Sequence, residues 1–153
     1  MSAVNSGGRV TASSINALFG LFLSSAFTQQ AYIPTSETTT TVTTYVNLAT
    51  VGPTVTITSA GTQALVFISS FISATAAHNA QAAVAVSGAT TLTAATNATA
   101  GLTILNANSN QVISANLHVL TITPGTNTYT MQYTNSGAQT GTWADRKLIV
   151  IAP

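Results

Sequence analysis

Residues 119–133 read VLTITPGTNTYTMQY, and this stretch decides the fold. After the Pro124-Gly125 pair, Tyr129, Met131 and Tyr133 alternate with threonine or glutamine. This two-residue period is typical of a strand with one buried face. Pro-Gly is a turn signal, so the stretch predicts two strands joined by a tight turn. The pattern indicates an antiparallel β fold.

The same pattern of strands and turns extends from Val51 to the end of the chain. Runs of β-branched and aromatic residues are separated by glycine and proline, and no helical periodicity occurs after Val51. Short strands at this spacing predict an all-β domain of the sandwich or barrel type. The expected strands are Thr54–Thr58, Gln63–Ser73, Gln81–Ser87, Thr90–Thr93, Leu102–Leu105, Gln111–Thr123 with a break near Asn116, Thr128–Asn135 and Thr142–Ile151.

Three of these strands are apolar on both faces. They contain Leu65–Ile68, Leu117–Ile122 and Leu148–Ile151. In a two-layer sandwich, only one face of a strand meets the core. The second apolar face needs another cover, and the simplest cover is a second copy of the chain. These strands therefore predict an obligate oligomer.

Charge is nearly absent from the sequence. The 153 residues include three Lys or Arg, two Asp or Glu, two His and no Cys, and charged residues make up 3% of the chain, against about 25% in an average domain. Nucleic-acid binding needs clustered cations, but the cations here are Arg9, Arg146 and Lys147. A membrane-bound protein is not expected either, because basic amphipathic helices and apolar runs of roughly 18 residues are both missing. With so few charges, the protein is expected to self-associate or to function inside an assembly.

Residues 1–50 differ from the rest and are predicted to form an N-terminal attachment arm, with residues 51–153 as the β domain. Apolar residues at helical spacing predict a short helix at about residues 11–23, which docks either on the protein's own core or on a partner. Residues 35–50 are Thr-rich and strand-prone but hold few apolar groups, so they are expected to be extended. A chain that begins at Gly52 is then expected to fold by itself. The candidate attachment residues of the arm are Val10, Ile15, Leu18, Phe19, Phe22, Val42 and Tyr45.

Patterns that would support catalysis or metal binding are weak. The two acids, Glu37 and Asp145, lie in different parts of the chain, so a paired-carboxylate site is not expected. The histidines, His78 and His118, come without cysteine or nearby acids, so neither a metal site nor a serine-hydrolase triad is predicted. No cofactor is implied, and the protein is expected not to be an enzyme.

Two other features each have a structural and a recognition interpretation. The Asp145-Arg146 pair is interpreted as a structural pair or turn at the entrance of the last strand, with a recognition pair as the alternative. The aromatic residues Trp143, Tyr129 and Tyr133 are expected in the core, with a sugar-stacking platform as the alternative.

A resemblance to a known group of proteins is carried by three parts of the chain. They are residues 119–133 with residues 142–153 (TWADRKLIVIAP), residues 52–57 (GPTVTI) with residues 61–66 (GTQALV), and residues 84–90 (VAVSGAT). Together they resemble small virion proteins of tailed phages that carry a trimeric jelly roll of the tumour-necrosis-factor/C1q type. The resemblance covers about residues 52–153 and implies a jelly-roll β-sandwich that forms a homotrimer.

This resemblance also implies a function. The expected protein is a capsid decoration (cement) protein that binds the major capsid protein on the exterior of the phage capsid and stabilises the shell. The alternative is a receptor- or glycan-binding head domain of a phage tail or head fibre, with a host surface glycan as its partner. The candidate residues for the trimer interface are Leu65, Phe67, His118, Leu120, Ile149 and Ile151.

Overall fold

The computed structural model describes residues 28–40, 44–75, 79–95, 99, 101–104, 112–135, 137 and 140–153, and only the backbone of residues 102–104. Within these residues the chain forms β-strands and no helix. The strands are β1 (Thr28–Ile33), β2 (Glu37–Thr39), β3 (Thr54–Ser59), β4 (Gln63–Ala74), β5 (Ala80–Gly88), β6 (Gly101–Ile104), β7 (Val112–Thr121), β8 (Gly125–Asn135) and β9 (Gly141–Ile151).

The strands form two antiparallel sheets that pack as a sandwich. The five-stranded sheet has the order β1-β9-β4-β7, and the four-stranded sheet has the order β3-β8-β5-β6. The short strand β2 also belongs to the larger sheet, because β1 pairs with one half of β9 and β2 with the other half. The prediction of an all-β sandwich is confirmed.

The core lies between the two sheets and is built by alternation along each strand. In β3, Val55 and Ile57 are buried while the intervening threonines are exposed. In β8, Tyr129, Met131 and Tyr133 are fully buried. The alternation that the sequence predicted for these two strands is confirmed, and the core interpretation of the aromatic residues is confirmed with it.

Two predictions about the strands need correction. The predicted strand Thr90–Thr93 is only an isolated bridge, in which Leu92 pairs with Val86. The predicted break near Asn116 does not occur, because β7 pairs with β4 without interruption. The Asn116 side chain donates a hydrogen bond to the carbonyl of Gly101 at 2.7 Å, so its amide has a partner without leaving the strand.

Part of the segment that was predicted to be an arm pairs with the larger sheet. Thr28–Ile33 pairs with β9 from Arg146 to Ile151, and Glu37–Thr39 pairs with β9 from Gly141 to Trp143. The sequence pattern did not predict this pairing, because an edge strand is held by backbone hydrogen bonds that require no particular side chain. Residues 1–27, with the predicted helix, lie outside the described residues.

A β-bulge interrupts the pairing of β9 with β4. Ser69 pairs with Lys147 and Phe71 pairs with Ala144, so two residues of β9 lie opposite one residue of β4. Asp145 is the first residue of the bulge and has a φ of 47°. The extra residue shifts the alternation, so that Arg146 faces the core while Asp145 is exposed.

Candidate functional site

The outer face of the five-stranded sheet is apolar and uncovered in the described chain. On β7, the outward side chains of Ile113, Leu117 and Val119 are 75%, 56% and 56% exposed. On β4, the outward residues Leu65 and Phe67 alternate with fully buried neighbours and pair with Val119 and Leu117. Single exposed apolar side chains are common, but a contiguous apolar surface marks an interaction site. We call this surface the outer apolar face; its members are Leu65, Phe67, Phe71, Ile113, Leu117, Val119, Ile149 and Ile151.

Four of the six predicted interface residues lie on this face. Leu65 pairs with Ile151 and Phe67 pairs with Ile149, so these four side chains are cross-strand neighbours. The other two predicted residues lie elsewhere. His118 pairs with the buried Val66, and Leu120 is itself buried. Both therefore point to the inner side of the sheet. The prediction failed for these two residues because the sequence pattern marked β7 as apolar on both faces without showing which residues share a face.

A polar cluster borders the outer apolar face at the bulge. The hydroxyl of Tyr32 donates a hydrogen bond to Oδ1 of Asp145 at 2.5 Å. The ammonium group of Lys147 lies 5.3 Å from the centre of the Tyr32 ring. The hydrogen bond to Asp145 is the main cause that raises the pKa of Tyr32, followed by burial and by the charge of Asp145. Among the described residues, Asp145 and Lys147 are the exposed charged side chains, and both lie beside this face.

The opposite surface, on the four-stranded sheet, has a different character. Threonines on β3 and β8 face each other in pairs across the two strands and share hydrogen bonds. The oxygen–oxygen distances are 3.3 Å for Thr54–Thr130, 2.9 Å for Thr56–Thr128 and 2.8 Å for Thr58–Thr126. These hydroxyls can form hydrogen bonds with water although they carry no charge. The sandwich therefore has one apolar outer face and one hydroxylated outer face.

A buried arginine holds the chain between β1 and β3. We call residues 34–40 and 44–53, which include β2, the strap. Arg146 is 0% exposed, and its Nη2 lies 3.3 Å from Oε1 of Glu37 in the strap. Its guanidinium also donates to the strap carbonyls of Thr35, Thr50 and Gly52 at 3.4–3.5 Å. Its Cζ lies 5.6 Å from the centre of the Tyr133 ring.

Glu37 links the two halves of the strap to this arginine. Its Oε2 accepts a hydrogen bond from the backbone N–H of Thr50 at 2.9 Å, while its Oε1 contacts Arg146. Burial alone would raise the pKa of Glu37. The hydrogen bonds from Thr50 and the charge of Arg146 outweigh burial and hold this pKa below its usual value. The carboxyl group is therefore charged at neutral pH.

Further contacts of the strap involve the aromatic end of the core. The hydroxyl of Tyr133 donates to the carbonyl of Gly52 at 2.8 Å, and burial strongly raises the pKa of this phenol. The ring centres of Tyr133 and Trp143 are 5.3 Å apart. Asn135 donates to the carbonyl of Thr39 at 2.7 Å. Tyr45, one of the predicted arm residues, is half-buried and donates to Oε1 of Gln81 at 3.3 Å.

Several predicted residues fall in other places. Val10, Ile15, Leu18, Phe19, Phe22, Val42 and His78 lie outside the described residues. Trp143, Tyr129 and Tyr133 are fully buried, so the alternative of a sugar-stacking platform is wrong. The Asp145-Arg146 pair is a bulge, and its two side chains bind Tyr32 and Glu37 respectively.

The geometry offers little for catalysis or metal binding in the part of the chain that the structure describes. The two acids lie on opposite sides of the larger sheet, since Glu37 contacts the buried Arg146 while Asp145 is exposed. No group of three or more His, Cys, Asp or Glu side chains comes together among the described residues. The same residues contain no helix with the length and hydrophobicity needed to cross a membrane.

The ion pair between Glu37 and Arg146 is the contact that sequence reasoning missed. The two residues lie far apart in sequence, and their pairing depends on a bulge that shifts Arg146 to the inner face. One signal was present: Glu37 is the single charged residue in the Thr-rich run of residues 35–50. A lone charge in an otherwise neutral run needs a partner if that run is folded.

Comparison with known proteins gives only distant structural likenesses. No protein-family model matches the sequence, and no curated protein matches it. An exo-β-1,3-galactanase from Phanerochaete chrysosporium with bound β-1,3-galactotriose is similar at 12% identity and a TM-score of 0.34, over 83% of this chain and 29% of that one. A structure of the infectious bursal disease virus Gx strain is similar at 11% identity and a TM-score of 0.38, over 82% of this chain and 32% of that one. This chain thus spans about a third of the length of these structures, and likenesses of this size place it in no family.

Proposed function

We propose that the protein is a virion structural protein: a capsid decoration (cement) protein that binds the exterior of a tailed-phage head as a homotrimer and stabilises the shell. The observation that carries the proposal is the outer apolar face, on a chain with 3% charged residues. Such a surface needs a cover, and a protein with so few charges is poorly suited to remain a free monomer. Burial of the outer apolar face between copies of the chain would remove this face from water and would place the protein in an assembly.

The strand order supports a jelly roll. Every strand pair is antiparallel, and most neighbours within each sheet are distant in sequence, as in β9-β4-β7 and β3-β8-β5. Connections that cross repeatedly between two sheets of this kind are the feature that distinguishes a jelly roll from a meander. This topology agrees with the resemblance to trimeric phage jelly rolls.

The shape of the outer apolar face supports a ring of subunits. Its most exposed side chain, Ile113, lies on the edge strand β7. A depression of about 420 Å³ lies near the opposite edge, lined by Gln30, Ala31, Tyr32, Lys147 and Ile149. A contact that joined these two different edges in successive copies would be head-to-tail. Contacts of that type close into rings, of which the trimer implied by the resemblance is one.

Attachment to the shell is assigned to residues 1–27, which precede β1. The apolar stripe of Ile15, Leu18, Phe19 and Phe22 would contribute about 1.5–3 kcal/mol for each buried side chain, before the entropy of ordering the arm is subtracted. One arm would bind weakly. Three arms on one trimer gain avidity, because the second and third bind at high effective concentration. The partner is then the major capsid protein.

Two experiments on particles test the proposal. Imaging of intact virions should show hundreds of copies on the head, whereas a handful of copies at the tail would indicate the fibre-head alternative. Co-sedimentation with undecorated shells should then show that Leu18→Asp or Phe22→Asp abolishes binding, while Ser13→Asp, a polar position on the opposite side of the predicted helix, leaves binding intact. Saturation of the shell by a trimer that lacks residues 1–27 would refute the role of the arm.

A further inference from the structure

Lys147 lies among the apolar side chains on the outer side of the five-stranded sheet. It pairs with Tyr32 on β1 and with Ser69 on β4, and Ser69 pairs in turn with Ala115 on β7. This row of polar or short side chains crosses the sheet between two apolar rows. The apolar rows are formed by Ile149, Phe67 and Leu117 on one side and by Phe71 and Ile113 on the other. Lys147 is therefore inside the outer apolar face, and any cover of this face would also cover its ammonium group.

Neither of the two exposed charges forms an ion pair within the part of the chain that the structure describes. Asp145 accepts a hydrogen bond from the neutral hydroxyl of Tyr32, and the ammonium of Lys147 lies 5.3 Å from the centre of the Tyr32 ring. The ion pair among the described residues joins Glu37 and Arg146. A cover over the outer apolar face would take Lys147 and Asp145 out of water, and the burial of a charge without an opposite charge is strongly unfavourable. The covering surface must therefore supply opposite charges.

A second copy of the chain can supply the counter-charge of Lys147 in one way. The 153 residues contain two acidic side chains, Glu37 and Asp145. Glu37 is bound to the buried Arg146 on the inner side of the sheet. Asp145 is exposed, and through Tyr32 it lies on the same surface as Lys147. Where copies of this chain cover one another, the side-chain carboxylate that can meet Lys147 is that of Asp145.

We propose that Lys147 of one copy forms an ion pair with Asp145 of the next copy, and that this pair fixes the register of the subunits. The proposal rests on the proposed function, because it applies where the outer apolar face is covered by copies of the chain. It goes beyond that function by naming the residues that determine the match. Apolar contacts have no direction, whereas opposite charges on an otherwise uncharged surface select one register.

The surroundings of the two charges suit a head-to-tail contact. Asp145 lines a depression of about 270 Å³ together with Phe71 and Ile113, on the β7 side of the face. Lys147 lines this depression too, and it also lines the larger depression near β1, beside Tyr32. A contact that seats Ile113 in the larger depression of the next copy would bring Asp145 towards Lys147 of that copy. Because each repeat of the contact uses both charges of a copy once, a closed ring leaves neither charge unpaired.

A direct test is possible because Lys147 is the single lysine of the chain. A carbodiimide joins an ammonium group to a carboxylate in contact with it, forming an amide while the carbodiimide takes up the water that is lost. Unlabelled and isotope-labelled chains are mixed so that they assemble together, and their oligomeric state is measured by light scattering. After carbodiimide treatment, a denaturing gel should show bands of two and three chains. Mass spectrometry should find peptides that join Lys147 of one isotope form to Asp145 of the other.

The two measurements separate this proposal from the proposed function. A trimer whose linked peptides never join Lys147 to Asp145 of a different chain would overturn the ion pair and leave the proposed assembly standing. A wild-type protein that is monomeric at micromolar concentration would contradict the proposed assembly, and the ion pair with it.

Substitutions give a second readout that does not depend on chemical linkage. Lys147→Gln or Asp145→Asn leaves the other charge buried without a partner, so each should weaken assembly about tenfold or more. Asparagine also suits the left-handed backbone of residue 145, so the chain should stay folded. The double variant removes both charges and should assemble at least as well as either single variant, because no charge is left unpaired.

Assembly of these variants is measured by light scattering over a dilution series, with Trp143 fluorescence as the check on folding. Thr56→Gln, an exposed position on the hydroxylated outer face, is the control and should assemble like wild type. Single variants that assemble as tightly as wild type, or losses that multiply in the double variant, would overturn the ion pair even where a trimer forms.

Discussion

Trp143 and Arg146 lie three positions apart on β9, yet both side chains are fully buried on the inner side of the same sheet. In a regular strand, residues three apart point to opposite faces. The bulge at Asp145 removes this conflict by adding one residue to β9 opposite β4. Tyr133 lies against both side chains, with its ring centre 5.3 Å from that of Trp143 and 5.6 Å from Cζ of Arg146.

The bulge therefore connects two surfaces of the molecule. Asp145 turns outward and accepts the hydrogen bond from Tyr32 beside the outer apolar face. Arg146, the next residue, turns inward and binds the strap. A change in the backbone at this point would disturb the edge of the proposed subunit interface and the attachment of the strap together.

The backbone at residue 145 should tolerate asparagine but not valine. Its φ of 47° lies in the left-handed region, where aspartate and asparagine are enriched and β-branched residues are strained. Asp145→Val should lower the free energy of unfolding by about 1–3 kcal/mol, whereas Asp145→Asn should change it little. Urea unfolding followed by Trp143 fluorescence measures both. Tyr32→Phe is the control for the lost hydrogen bond, and equal losses in all three variants would contradict the role of the backbone.

Removal of the buried cation should be costly and should depend on Glu37. Arg146→Ala leaves a carboxylate in a partly buried site without its partner, for an expected loss of about 3–5 kcal/mol in the free energy of unfolding. Arg146→Lys keeps the charge but lacks the fork that reaches several carbonyls, so its loss should be smaller. The double variant Arg146→Met with Glu37→Gln should cost less than the sum of its single changes. Additive losses, measured by urea unfolding, would show that the two side chains do not interact.

Local patterns in the sequence were sufficient for most strands of the sandwich. The alternation of Tyr129, Met131 and Tyr133 with polar residues fixed the inner face of β8, because a period of two can be assigned without knowledge of the partner strand. The two-faced runs around Phe67 and Ile149 correctly indicated an apolar surface beyond the core, because a strand in a two-layer sandwich buries only one of its faces between the sheets.

Contacts that depend on distant residues could not be predicted in this way. The pairing of Glu37–Thr39 with β9 uses backbone groups, which leave no trace in hydropathy. The burial of Arg146 requires a bulge, and a one-residue insertion moves every later side chain to the other face. His118 was misplaced for a similar reason, since the register of β7 against β4 is set by the whole sheet and not by the residues of β7.

Truncation should separate residues 1–27 from the strap. A chain that begins at Thr28 keeps every described strand and should unfold cooperatively with buried Trp143 fluorescence. A chain that begins at Gly52 was expected from the sequence to fold, but it would lose β1, β2 and Leu48 and would leave Arg146 without its counter-charge. It should be strongly destabilised or aggregate at the exposed edge of β9. Equal unfolding midpoints for the two chains would contradict this role of the strap.

Charge placed on the outer apolar face should break the assembly without unfolding the chain. Phe67 and Ile149 are half-buried, outward-facing neighbours, so Phe67→Asp or Ile149→Asp would bury an unpaired carboxylate at the proposed interface. An unpaired buried charge costs several kcal/mol, which is enough to dissociate a trimer at micromolar concentration. Light scattering should therefore report three chains for wild type and one for each variant, with Trp143 fluorescence unchanged.

Thr56→Asp, an exposed position on the hydroxylated outer face, is the matched control and should remain trimeric. A wild-type protein that is monomeric at this concentration, or interface variants that stay trimeric, would show that the outer apolar face is not covered by other copies of the chain.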